Sequence, residues 1–589
     1  MDSKTAFNIS LWLNGCYDEE TKKNVRHLVQ NDLKEAIDAF YTDLSFGTGG
    51  MRGLMGIGSN RLNDYTVRAT TQGLANYINY QPASSQGHSV FIGFDSRHHS
   101  HKFAEEAAKV MAAKGIRVFL CKDIRPTPLV SFGCRLKKCT AAIMITASHN
   151  PSGYNGYKVY WSDGGQVLPP HDTGIMQEIS KVTDPIMVEK VFCVKHPLIT
   201  FVSEEIDAAY INEATKLQYY PEENCQYGKD LKIVYTSLHG TGITLTPKML
   251  KAWGFSNILL VDEQVIPDGN FPTAKFPNPE EKAALTLGIK KILATESDLL
   301  IATDPDADRV GIAVLHHHNV VVLNGNQIAC LCLEHICEAL TAQGKMPENA
   351  AFIKTIATTE LFQSICDFYN KPCFNVLTGF KYIAEKILKW EKDLYLEGAD
   401  SRSYIFGAEE SYGYLFGTLT RDKDAVLTAA LISQMALQAK RKNRTLVDLL
   451  YDLYRKYGVF VEDRISVSFN ESKDGKEKMK QRMNYLRQHM QTEIQGIAVT
   501  AVEDYLSSLK TDFKTGNIEK IYLPTSDVLL FKLTDGSKLI IRPSGTEPKI
   551  KLYCDVNEHL SSSIEETIKR LQNKAANLLS ALKHLMNLR

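Results

Sequence analysis

Residues 145–158 read ITASHNPSGYNGYK and bring a serine, a histidine and a lysine into one polar stretch. The apolar run 141–145 precedes them, so we predict a strand that leads into a loop and exposes the hydroxyl of Ser148. A serine hydroxyl becomes an effective nucleophile only beside a base, a metal or a positive charge. His149 and Lys158 are the local candidates for that role.

Two other interpretations apply to this stretch. A hydrolase nucleophile of the GxSxG type is excluded, because Thr146 and Asn150 stand where that pattern has glycine. A plain Ser/Asn/Gly turn with a solvated histidine remains open when the stretch is read alone.

Three aspartates alternate with other residues directly after the apolar run 299–303: Asp304, Asp306 and Asp308. Crowded carboxylates repel one another, and a hard divalent cation with oxygen ligands relieves that repulsion. Mg²⁺ holds few protein ligands and commonly shares a phosphate, and Arg309 adds a positive charge at this place. The pattern therefore predicts a Mg²⁺ site in an exposed loop, with a merely solvated acidic loop as the alternative.

A calcium-binding EF-hand is excluded by two positions. Arg309 stands where such a loop needs glycine, and Leu315 stands where it needs a bidentate glutamate.

Phosphate-binding chemistry is indicated near the C-terminus, where residues 541–549 read IRPSGTEPK. An arginine, two hydroxyls and a flexible glycine backbone can surround a phosphate with hydrogen-bond donors. Many ordinary turns hold the same residue types, so this phrase is only moderately specific by itself.

Two further loops have suitable chemistry. Residues 46–53 read FGTGGMRG, and their glycines and Arg52 allow a phosphate to approach the backbone closely. Residues 406–413 read FGAEESYG, and Glu409 and Ser411 offer the hydrogen-bonding groups that sugar hydroxyls need. Read alone, either loop is also compatible with a purely structural turn.

Composition narrows the class of protein. The chain has 589 residues, which is too many for one hydrophobic core, so we expect several domains. Its Lys+Arg and Asp+Glu counts are equal at 68, and this balance gives no support to a nucleic-acid partner. The 12 cysteines form no CxxC pair, and the N-terminus lacks the apolar run of a signal peptide. The uncharged run 425–439 is too short to span a bilayer and predicts a buried helix. We therefore expect a cytoplasmic protein without a membrane partner.

Apolar strands alternate with helical patterns along most of the chain. Strand-like runs at 89–95, 231–236 and 351–356 each precede a turn and a helical pattern, which predicts α/β domains with parallel or mixed sheets. The C-terminal part differs, because it has strand-like runs at 521–523, 528–533 and 538–541. A long amphipathic helix follows at 564–585, capped by a serine among 561–563, so this part is predicted to be a smaller α+β domain.

Six phrases occur in a fixed order along the chain: GTGGMRG, TASHNPxxxNGYK, DPDADR, TGFK, EES and RPSGTEPK. Together they resemble the α-D-phosphohexomutase superfamily, from residue 46 to residue 549. The resemblance implies an α/β protein of four domains around a central cleft, three related α/β domains and a C-terminal α+β domain. We place these domains at 1–205, 206–325, 326–455 and 456–589.

The resemblance also implies a catalytic site. Ser148 would carry a phosphate that joins Asp304, Asp306 and Asp308 around one Mg²⁺ per chain. Acid and base roles fall to Arg52 and Lys158, with His149 beside them.

Substrate contacts follow from the same resemblance. The sugar phosphate would contact residues spread over several loops, namely Arg309, Thr378, Gly379, Glu409, Ser411 and Lys423. The non-reacting phosphate would be held by the C-terminal loop, through Arg542, Ser544, Gly545 and Thr546. Ala408 and Ala425 replace glycines that are common in the family, and neither change removes a functional side chain.

The implied function is an intramolecular phosphotransferase of the phosphoglucomutase/phosphomannomutase type, which interconverts hexose 1-phosphate and hexose 6-phosphate. Glucose is the expected sugar, mannose a second substrate, and a hexose 1,6-bisphosphate the intermediate and activator. The EESYG phrase resembles the longer phosphoglucomutase and phosphopentomutase branch. Three alternatives stay open: a phosphopentomutase, a glucose 1,6-bisphosphate synthase, and a catalytically silent sugar-phosphate-binding paralogue.

Overall fold

The computed structural model describes residues 1–589 except 48, 84, 86, 395–400, 470–472, 545–548 and 587–589. The chain divides into two compact units. Unit 1 comprises Met1–Asn324, Ala384–Phe406 and Ser411–Thr445. Unit 2 comprises Gly325–Ile383, Gly407–Glu410 and Leu446–Arg589.

Unit 1 begins with three short helices, α1 (Ser3–Asn14), α2 (Glu19–Asn31) and α3 (Leu33–Phe40). An aspartate caps each helix: the side chains of Asp2, Asp18 and Asp32 accept hydrogen bonds from backbone N–H groups of the first turns. The apolar faces of these helices meet around Trp12 and Phe40, which are buried.

The first sheet of unit 1 carries the serine loop. Its strands are β1 (Phe46–Gly47), β2 (Gly50–Leu54), β3 (Ser89–Phe94), β4 (Arg117–Cys121), β5 (Ala141–Ile145), β6 (Tyr154–Trp161) and β7 (Ile199–Val202). The strand order is β1-β2-β6-β5-β3-β4-β7. Pairing is parallel from β5 through β3 and β4 to β7, and antiparallel from β5 through β6 and β2 to β1. The accompanying helices are α4 (Asp64–Asn79), α5 (Ser100–Ala113), α6 (Thr127–Leu136) and α7 (His171–Ser180).

The second sheet of unit 1 carries the aspartate loop. Its strands are β8 (Ile233–Thr236), β9 (Ile258–Leu260), β10 (Leu299–Thr303), β11 (Val310–His316) and β12 (Asn319–Leu323), in the order β12-β11-β10-β8-β9. β8 pairs in parallel with β9 and β10, whereas β10, β11 and β12 form antiparallel pairs. The helices of this part are α8 (Glu204–Thr215), α9 (Pro221–Tyr227), α10 (Thr246–Ala252), α11 (Asp262–Val265) and α12 (Thr286–Thr295).

The third α/β region is built from β13 (Ala350–Thr355), β14 (Cys373–Val376), β15 (Ser403–Glu409) and β16 (Gly413–Phe416). Within unit 2, β13 and β14 pair in parallel, and the last residues of β15 lie beside β13. The helices are α13 (Gly325–Ala342), α14 (Glu360–Phe368), α15 (Lys381–Asp393), α16 (Ala425–Arg441) and α17 (Leu446–Tyr457). The buried helix predicted at 425–439 is confirmed as α16.

The C-terminal part of unit 2 is rich in antiparallel strands. They are β17 (Val459–Ser468), β18 (Glu493–Ile494), β19 (Ile497–Asp504), β20 (Leu509–Asp512), β21 (Ile518–Lys520), β22 (Leu529–Leu533), β23 (Lys538–Pro543) and β24 (Lys549–Glu558). The sheet runs β17-β24-β23-β22-β19-β20-β21, and β18 pairs with β19. Its helices are α18 (Lys473–Gln488) and α19 (Ile564–Leu585).

The predictions for this part are confirmed with one exception. Helix α19 begins after Ser563, whose side chain accepts the Glu566 N–H, and it packs on β17 and β24. The strand predicted at 521–523 is wrong, because the strand there is β21 at Ile518–Lys520, which pairs with β20. The prediction relied on apolar residues and therefore put the strand after its true position. The residues of β21 are all exposed, so apolar character does not mark this edge strand.

The strand-like runs predicted at 89–95, 231–236 and 351–356 correspond to β3, β8 and β13. In each sheet the neighbouring strand, β5, β10 or β15, ends in one of the predicted functional loops and is followed in the chain by β6, β11 or β16. The predicted fold class is confirmed as three α/β domains followed by a C-terminal β-rich domain, and the four domain boundaries remain predictions. Among the helices described, none combines the length and apolar character needed to cross a membrane.

Candidate functional site

The serine loop connects β5 to β6 and holds Ser148 in an unusual backbone conformation. Ser148 has φ 52°, in the left-handed region, and its N–H donates to Thr146 Oγ1 at 2.8 Å. This conformation costs a non-glycine residue about 1–3 kcal/mol, so the surroundings must hold it in place. The prediction of an exposed hydroxyl is wrong, because Ser148 is only 3% exposed.

The side chain of Arg97 binds the backbone of this loop. Its Nη1 donates to the carbonyls of Pro151 (2.8 Å) and Tyr154 (3.0 Å), and its Nη2 donates to those of Ser148 (2.5 Å) and Asn150. Asp95 forms an ion pair with the guanidinium, Oδ2 to Nε, at 3.3 Å. Burial lowers the pKa of Arg97 to about 10 against the effect of Asp95, so the side chain keeps its charge at neutral pH.

The hydroxyl of Ser148 faces the aspartate loop. Its Oγ donates to Asp304 Oδ2 at 2.8 Å and lies 3.2 Å from His149 Nδ1. The structure therefore brings the predicted nucleophile, the neighbouring histidine and the first predicted metal ligand into contact.

The aspartate loop is buried rather than exposed, contrary to the sequence prediction. Asp304 and Asp306 are 0% exposed and Asp308 is 2% exposed. The N-terminus of α6 covers the loop, where the Thr127 N–H donates to the Asp306 carbonyl and Thr127 Oγ1 donates to Asp306 Oδ2, both at 2.8 Å. This tertiary contact is invisible in the local sequence, which is why the loop looked solvated.

Two lysines neutralise part of the negative charge. Lys158 Nζ donates to Oδ2 of Asp306 at 2.7 Å and of Asp308 at 3.1 Å, and Lys423 Nζ lies 3.2 Å from Asp308 Oδ2. Burial disfavours the charge of Lys158, but Asp306 and Asp308 outweigh it and raise the pKa of this lysine. The structure therefore brings Lys158 and Lys423, which the sequence named as site residues in other roles, into contact with the aspartates.

The aspartates respond differently to their surroundings. Burial raises the pKa of Asp304 well above its usual value, and the charges of Asp306 and Asp308 raise it further. Burial also disfavours the charge of Asp308, but Lys158, Lys423 and Arg309 outweigh it and lower the pKa of Asp308. Negative charge is therefore less favourable at Asp304, the partner of Ser148, than at Asp308.

The donor set fits a hard divalent cation. One ligand oxygen from each of Asp304, Asp306 and Asp308 lies within 4.8 Å of the others. The lysines occupy the Oδ2 atoms, whereas Oδ1 of Asp306 and of Asp308 is buried and has no hydrogen-bond partner among the described residues. Buried carboxylate oxygens without donors are ready ligands for Mg²⁺. The aspartate cluster could therefore bind a metal ion.

Arg52 reaches the serine loop from β2. Its Nη1 donates to Asn150 Oδ1 at 3.0 Å, and β2 pairs with β6, opposing Arg52 to Gly156 and Gly50 to Lys158. A Cβ added at Gly156 would lie 2.5 Å from the Thr146 carbonyl, so only glycine allows this close packing. Gly156 thus allows the close β2–β6 pairing that carries Arg52 and Lys158.

The end of the aspartate loop is attached to the turn after β15. Arg309 forms a β-bridge with Gly413, and the Val310 N–H donates to the Tyr412 carbonyl at 3.1 Å. Ser411 lies in this turn, partly exposed. Within unit 1, the backbone therefore brings Ser411 near Arg309.

Unit 2 contains the other half of the predicted sugar loop. Glu409 is 5% exposed, and its Oε1 accepts the Gly379 N–H at 2.7 Å. Gly379 has φ 127°, which a side chain would strain. Thr378 Oγ1 is buried and has no hydrogen-bond partner among the described residues. The TGFK and EES phrases therefore meet in space.

The predicted phosphate-binding phrase begins in unit 2 at the end of β23. Arg542 is the fifth residue of β23 and pairs with Lys551, and the Ser544 N–H donates to the Lys549 carbonyl at 2.7 Å. Burial and then the charge of Glu410 raise the pKa of Tyr553, while Arg542 opposes both, so Tyr553 lies close to each of them. The predicted residues Gly545 and Thr546 lie outside the described residues.

Comparison with known proteins decides the family. Three models of the phosphoglucomutase/phosphomannomutase family match the chain: alpha/beta/alpha domain I at residues 43–185, domain II at 208–317 and domain III at 324–457. The chain belongs to the phosphoglucomutase/phosphomannomutase family. The resemblance stated from the six sequence phrases is confirmed, and the chain is a mutase of the phosphotransferase type.

Individual relatives agree with this family. The chain is 36% identical to a phosphoglucomutase of Staphylococcus haemolyticus over 524 residues, 88% of this chain and 91% of that protein. It is also 36% identical to a phosphoglucomutase of Staphylococcus aureus over 546 residues, 92% of this chain and 94% of that protein. A solved structure of a phosphoglucomutase/phosphomannomutase family protein from Burkholderia thailandensis has a TM-score of 0.62 at 18% identity, covering 92% of this chain and 97% of that one, which shows the shared fold.

Sequence reasoning missed three residues at this site of the phosphohexomutase: Arg97, Thr127 and Asp422. Asp422 accepts hydrogen bonds from Tyr160 and Gln166 and contacts Lys423 at 3.1 Å, so it positions that lysine. A signal for Arg97 was present, because the polar Asp95-Ser96-Arg97 follows the apolar strand β3 just as Asp304 follows β10. For Thr127 no comparable local signal exists.

Proposed function

We propose that this chain interconverts hexose 1-phosphate and hexose 6-phosphate, with glucose preferred, through a phosphorylated Ser148. The observation that carries the proposal is the 2.8 Å hydrogen bond from Ser148 Oγ to Asp304, at the edge of a buried carboxylate cluster. A serine required only for structure has no need of a buried acidic cluster flanked by lysines. A nucleophile that carries a phosphate needs cations of this kind to neutralise charge.

Phosphoryl transfer would begin from phospho-Ser148. The bond between Ser148 Oγ and phosphorus breaks as a sugar hydroxyl forms a new bond to the same phosphorus and loses its proton. His149 Nδ1 lies 3.2 Å from Ser148 Oγ, and this distance supports our proposal that the histidine exchanges a proton with that oxygen. Arg52 and Lys158 are the residues we propose for acid and base roles at the sugar hydroxyls, and Lys158 would pass a proton to Asp306, 2.7 Å from its Nζ, as it takes the proton of the hydroxyl. The product of this step is a hexose 1,6-bisphosphate, and transfer of its other phosphate back to Ser148 completes the reaction.

The proposed cofactor is one Mg²⁺ held by Asp304, Asp306, Asp308 and the phosphate of Ser148. When bound, Mg²⁺ neutralises charge that develops on the transferring phosphoryl group. Lys158 and Lys423 hold the Oδ2 atoms of Asp306 and Asp308 and add positive charge nearby. Thr127 Oγ1 also donates a hydrogen bond to Asp306 Oδ2 and so helps to fix this carboxylate.

The bisphosphate must bind in two orientations, so the residues that hold the sugar have to contact hydroxyls that occupy similar places after reversal. Glu409 and Ser411 are proposed for this role, because the C3 and C4 hydroxyls meet that condition. Glu409 also fixes Gly379, and Thr378 Oγ1 has a free hydrogen-bonding capacity beside it. Arg309 and Lys423 are proposed as further substrate contacts. Arg542, Ser544, Gly545 and Thr546 are proposed to hold the phosphate that does not react.

The test is a comparison of kcat/KM for glucose 1-phosphate, mannose 1-phosphate and ribose 1-phosphate, each with its bisphosphate as activator. We expect glucose 1-phosphate to lead, with mannose 1-phosphate closer than ribose 1-phosphate because the C2 hydroxyl is not held by the proposed contacts. A lead of more than roughly tenfold for ribose 1-phosphate, about 1.4 kcal/mol, would identify a phosphopentomutase instead. Net formation of glucose 1,6-bisphosphate from another phosphoryl donor would identify a bisphosphate synthase.

A further inference from the structure

We propose that Arg97 is a positioning residue for phosphoryl transfer, which fixes the backbone of the serine loop so that Ser148 Oγ points at the carboxylate cluster. This inference rests on the proposed function of Ser148 and goes beyond it, because Arg97 matches none of the six sequence phrases. It is carried by the geometry of one guanidinium and four carbonyl groups.

The contacts of Arg97 cover the whole turn. Its two terminal nitrogens bind the carbonyls of Ser148, Asn150, Pro151 and Tyr154, the residues between the nucleophile and the start of β6. A planar guanidinium with donors in fixed directions is the side chain best able to hold several acceptors at once. Four backbone acceptors in one turn are therefore held in one arrangement.

The hydrogen bonds inside the turn use its N–H groups as donors. The N–H groups of Ser148, Asn150 and Tyr154 donate to Thr146 Oγ1 and to the carbonyls of Ala147 and Pro151. These bonds span three residues or fewer and do not connect the turn to the rest of the sheet domain. Arg97 supplies four bonds of that connection, and the bonds from Arg52 Nη1 to Asn150 Oδ1 and from the Met55 N–H to the Gly153 carbonyl add two more.

Arg97 is itself held rigidly. Its side chain and that of Asp95 are both 0% exposed, and Asp95 Oδ1 accepts the Arg97 N–H at 3.0 Å and the Ser100 hydroxyl at 2.7 Å. The guanidinium also lies over the ring of Phe271, 4.9 Å from its centroid. Because these contacts hold the guanidinium in one place, Arg97 fixes the position of the serine loop relative to the end of β3.

A positioning role predicts a specific effect on catalysis. Ser148 has a left-handed φ of 52°, and without the guanidinium the loop can relax and move Oγ away from Asp304. A displacement of the reacting atom by about 1 Å costs on the order of 100-fold in rate. Substrate contacts on other loops stay in place, so the loss should appear in kcat and leave KM nearly unchanged.

The test compares Arg97→Ala and Arg97→Lys with Arg61→Ala in the full-length protein. Arg61 is a matched control, since it is 3% exposed and binds the carboxylates of Glu35 and Asp38 and the carbonyls of Asp38 and Asn60. Rates are measured with glucose 1-phosphate and glucose 1,6-bisphosphate, with and without added guanidinium chloride. Hydrogen exchange is followed by mass spectrometry in peptides that cover residues 147–154.

We expect kcat of Arg97→Ala to fall about 100-fold with KM nearly unchanged, exchange of the 147–154 amides to rise, and guanidinium to restore part of the rate. Arg61→Ala should lose stability but keep kcat and the exchange of those amides. A wild-type kcat in Arg97→Ala, or a loss of kcat without faster exchange in that loop, would overturn the proposal.

Two further comparisons keep the outcome decisive. If Arg97→Ala does not fold, kcat and hydrogen exchange are measured on Arg97→Lys instead. Lysine keeps the charge but cannot hold four carbonyls in fixed directions. If the wild-type protein turns over no hexose phosphate, the proposed function fails, and the exchange comparison still decides whether Arg97 holds the loop. Unchanged exchange in both variants would overturn the inference.

Discussion

The hydroxyl of Ser148 donates a 2.8 Å hydrogen bond to Asp304 Oδ2, although 156 positions separate the two residues in the chain. A phosphate on Ser148 Oγ would therefore stand beside three buried carboxylates. Such a concentration of negative charge is stable only with cations in contact. The proposed phosphoserine and the proposed Mg²⁺ thus depend on each other.

This dependence predicts that Mg²⁺ binds more tightly when Ser148 is phosphorylated. Calorimetric titration of the phosphorylated and dephosphorylated proteins with MgCl₂ measures the difference. We expect a ratio of affinities of about 5- to 150-fold, the usual range for coupling between two sites. Equal affinities would show that the metal and the phosphate do not meet.

Asp306→Asn should weaken Mg²⁺ binding while retaining the fold. The amide oxygen can still accept the hydrogen bond from Thr127, but the variant loses one charge and a strong ligand. We expect at least about a 10- to 100-fold loss of affinity, and a smaller rise in thermal midpoint on adding MgCl₂. Asp298→Asn, which removes a carboxylate bound to Lys440, is the control and should bind Mg²⁺ like wild type. An unchanged affinity in Asp306→Asn would refute the assignment of this ligand.

Much of this site could be predicted from the sequence, because polar residues that directly follow buried strands gather at one edge of each domain. Ser148 follows β5, Asp304 follows β10 and Glu409 ends β15, and each was recognised from its phrase. The burial of the aspartate loop could not be predicted, because it depends on Thr127. This residue begins α6, which accompanies the first sheet of unit 1, whereas the aspartate loop belongs to the second sheet. Arg97 follows β3 in a polar stretch that could have drawn attention to it, but its partners are backbone carbonyls, which the sequence does not identify.

Glu409→Gln should reduce kcat/KM for glucose 1-phosphate and glucose 6-phosphate to a similar extent. The amide can still accept the Gly379 N–H, so the loop keeps its shape, but the charge that strengthens bonds to sugar hydroxyls is lost. Hydrogen bonds to charged groups contribute about 1.5–3 kcal/mol, so we expect about a 10- to 150-fold decrease. Steady-state kinetics in both directions measure it.

Glu410→Gln is the matched control for that experiment, because Glu410 is the next residue and its Oε2 accepts a hydrogen bond from Thr355. Its kcat/KM should stay closer to wild type. A decrease in only one direction for Glu409→Gln would argue against a sugar that binds in two reversed orientations.

Stability at low pH should depend on Glu106, which lies on α5 and forms ion pairs with Arg68, Lys109 and Lys190. Burial disfavours its charge, but hydrogen bonds from Arg68 and Lys109 outweigh it and lower the pKa of Glu106 from 4.5 to about 2. A lowered pKa in the folded protein gives stability that is present above pH 4.5 and is lost as the pH falls toward 2.

Glu106→Gln should therefore lower the free energy of unfolding at neutral pH by up to about 3 kcal/mol, and the difference from wild type should shrink below the usual pKa of glutamate. Denaturant unfolding across that pH range measures the difference. Glu105→Gln, whose carboxylate is 3.7 Å from the exposed His101, should have little effect at any pH. A cost of Glu106→Gln that does not vary with pH would be inconsistent with this ion pair network.

The central claim is that Ser148 carries the transferred phosphate, and its most direct test is peptide mapping by mass spectrometry after incubation with glucose 1,6-bisphosphate and MgCl₂. We expect one added phosphate on Ser148 in wild type and in the control Ser152→Ala, and its removal when glucose 1-phosphate is then supplied. Ser148→Ala should take up no phosphate and show no mutase turnover. Phosphate on another residue, or wild-type turnover in Ser148→Ala, would contradict the account.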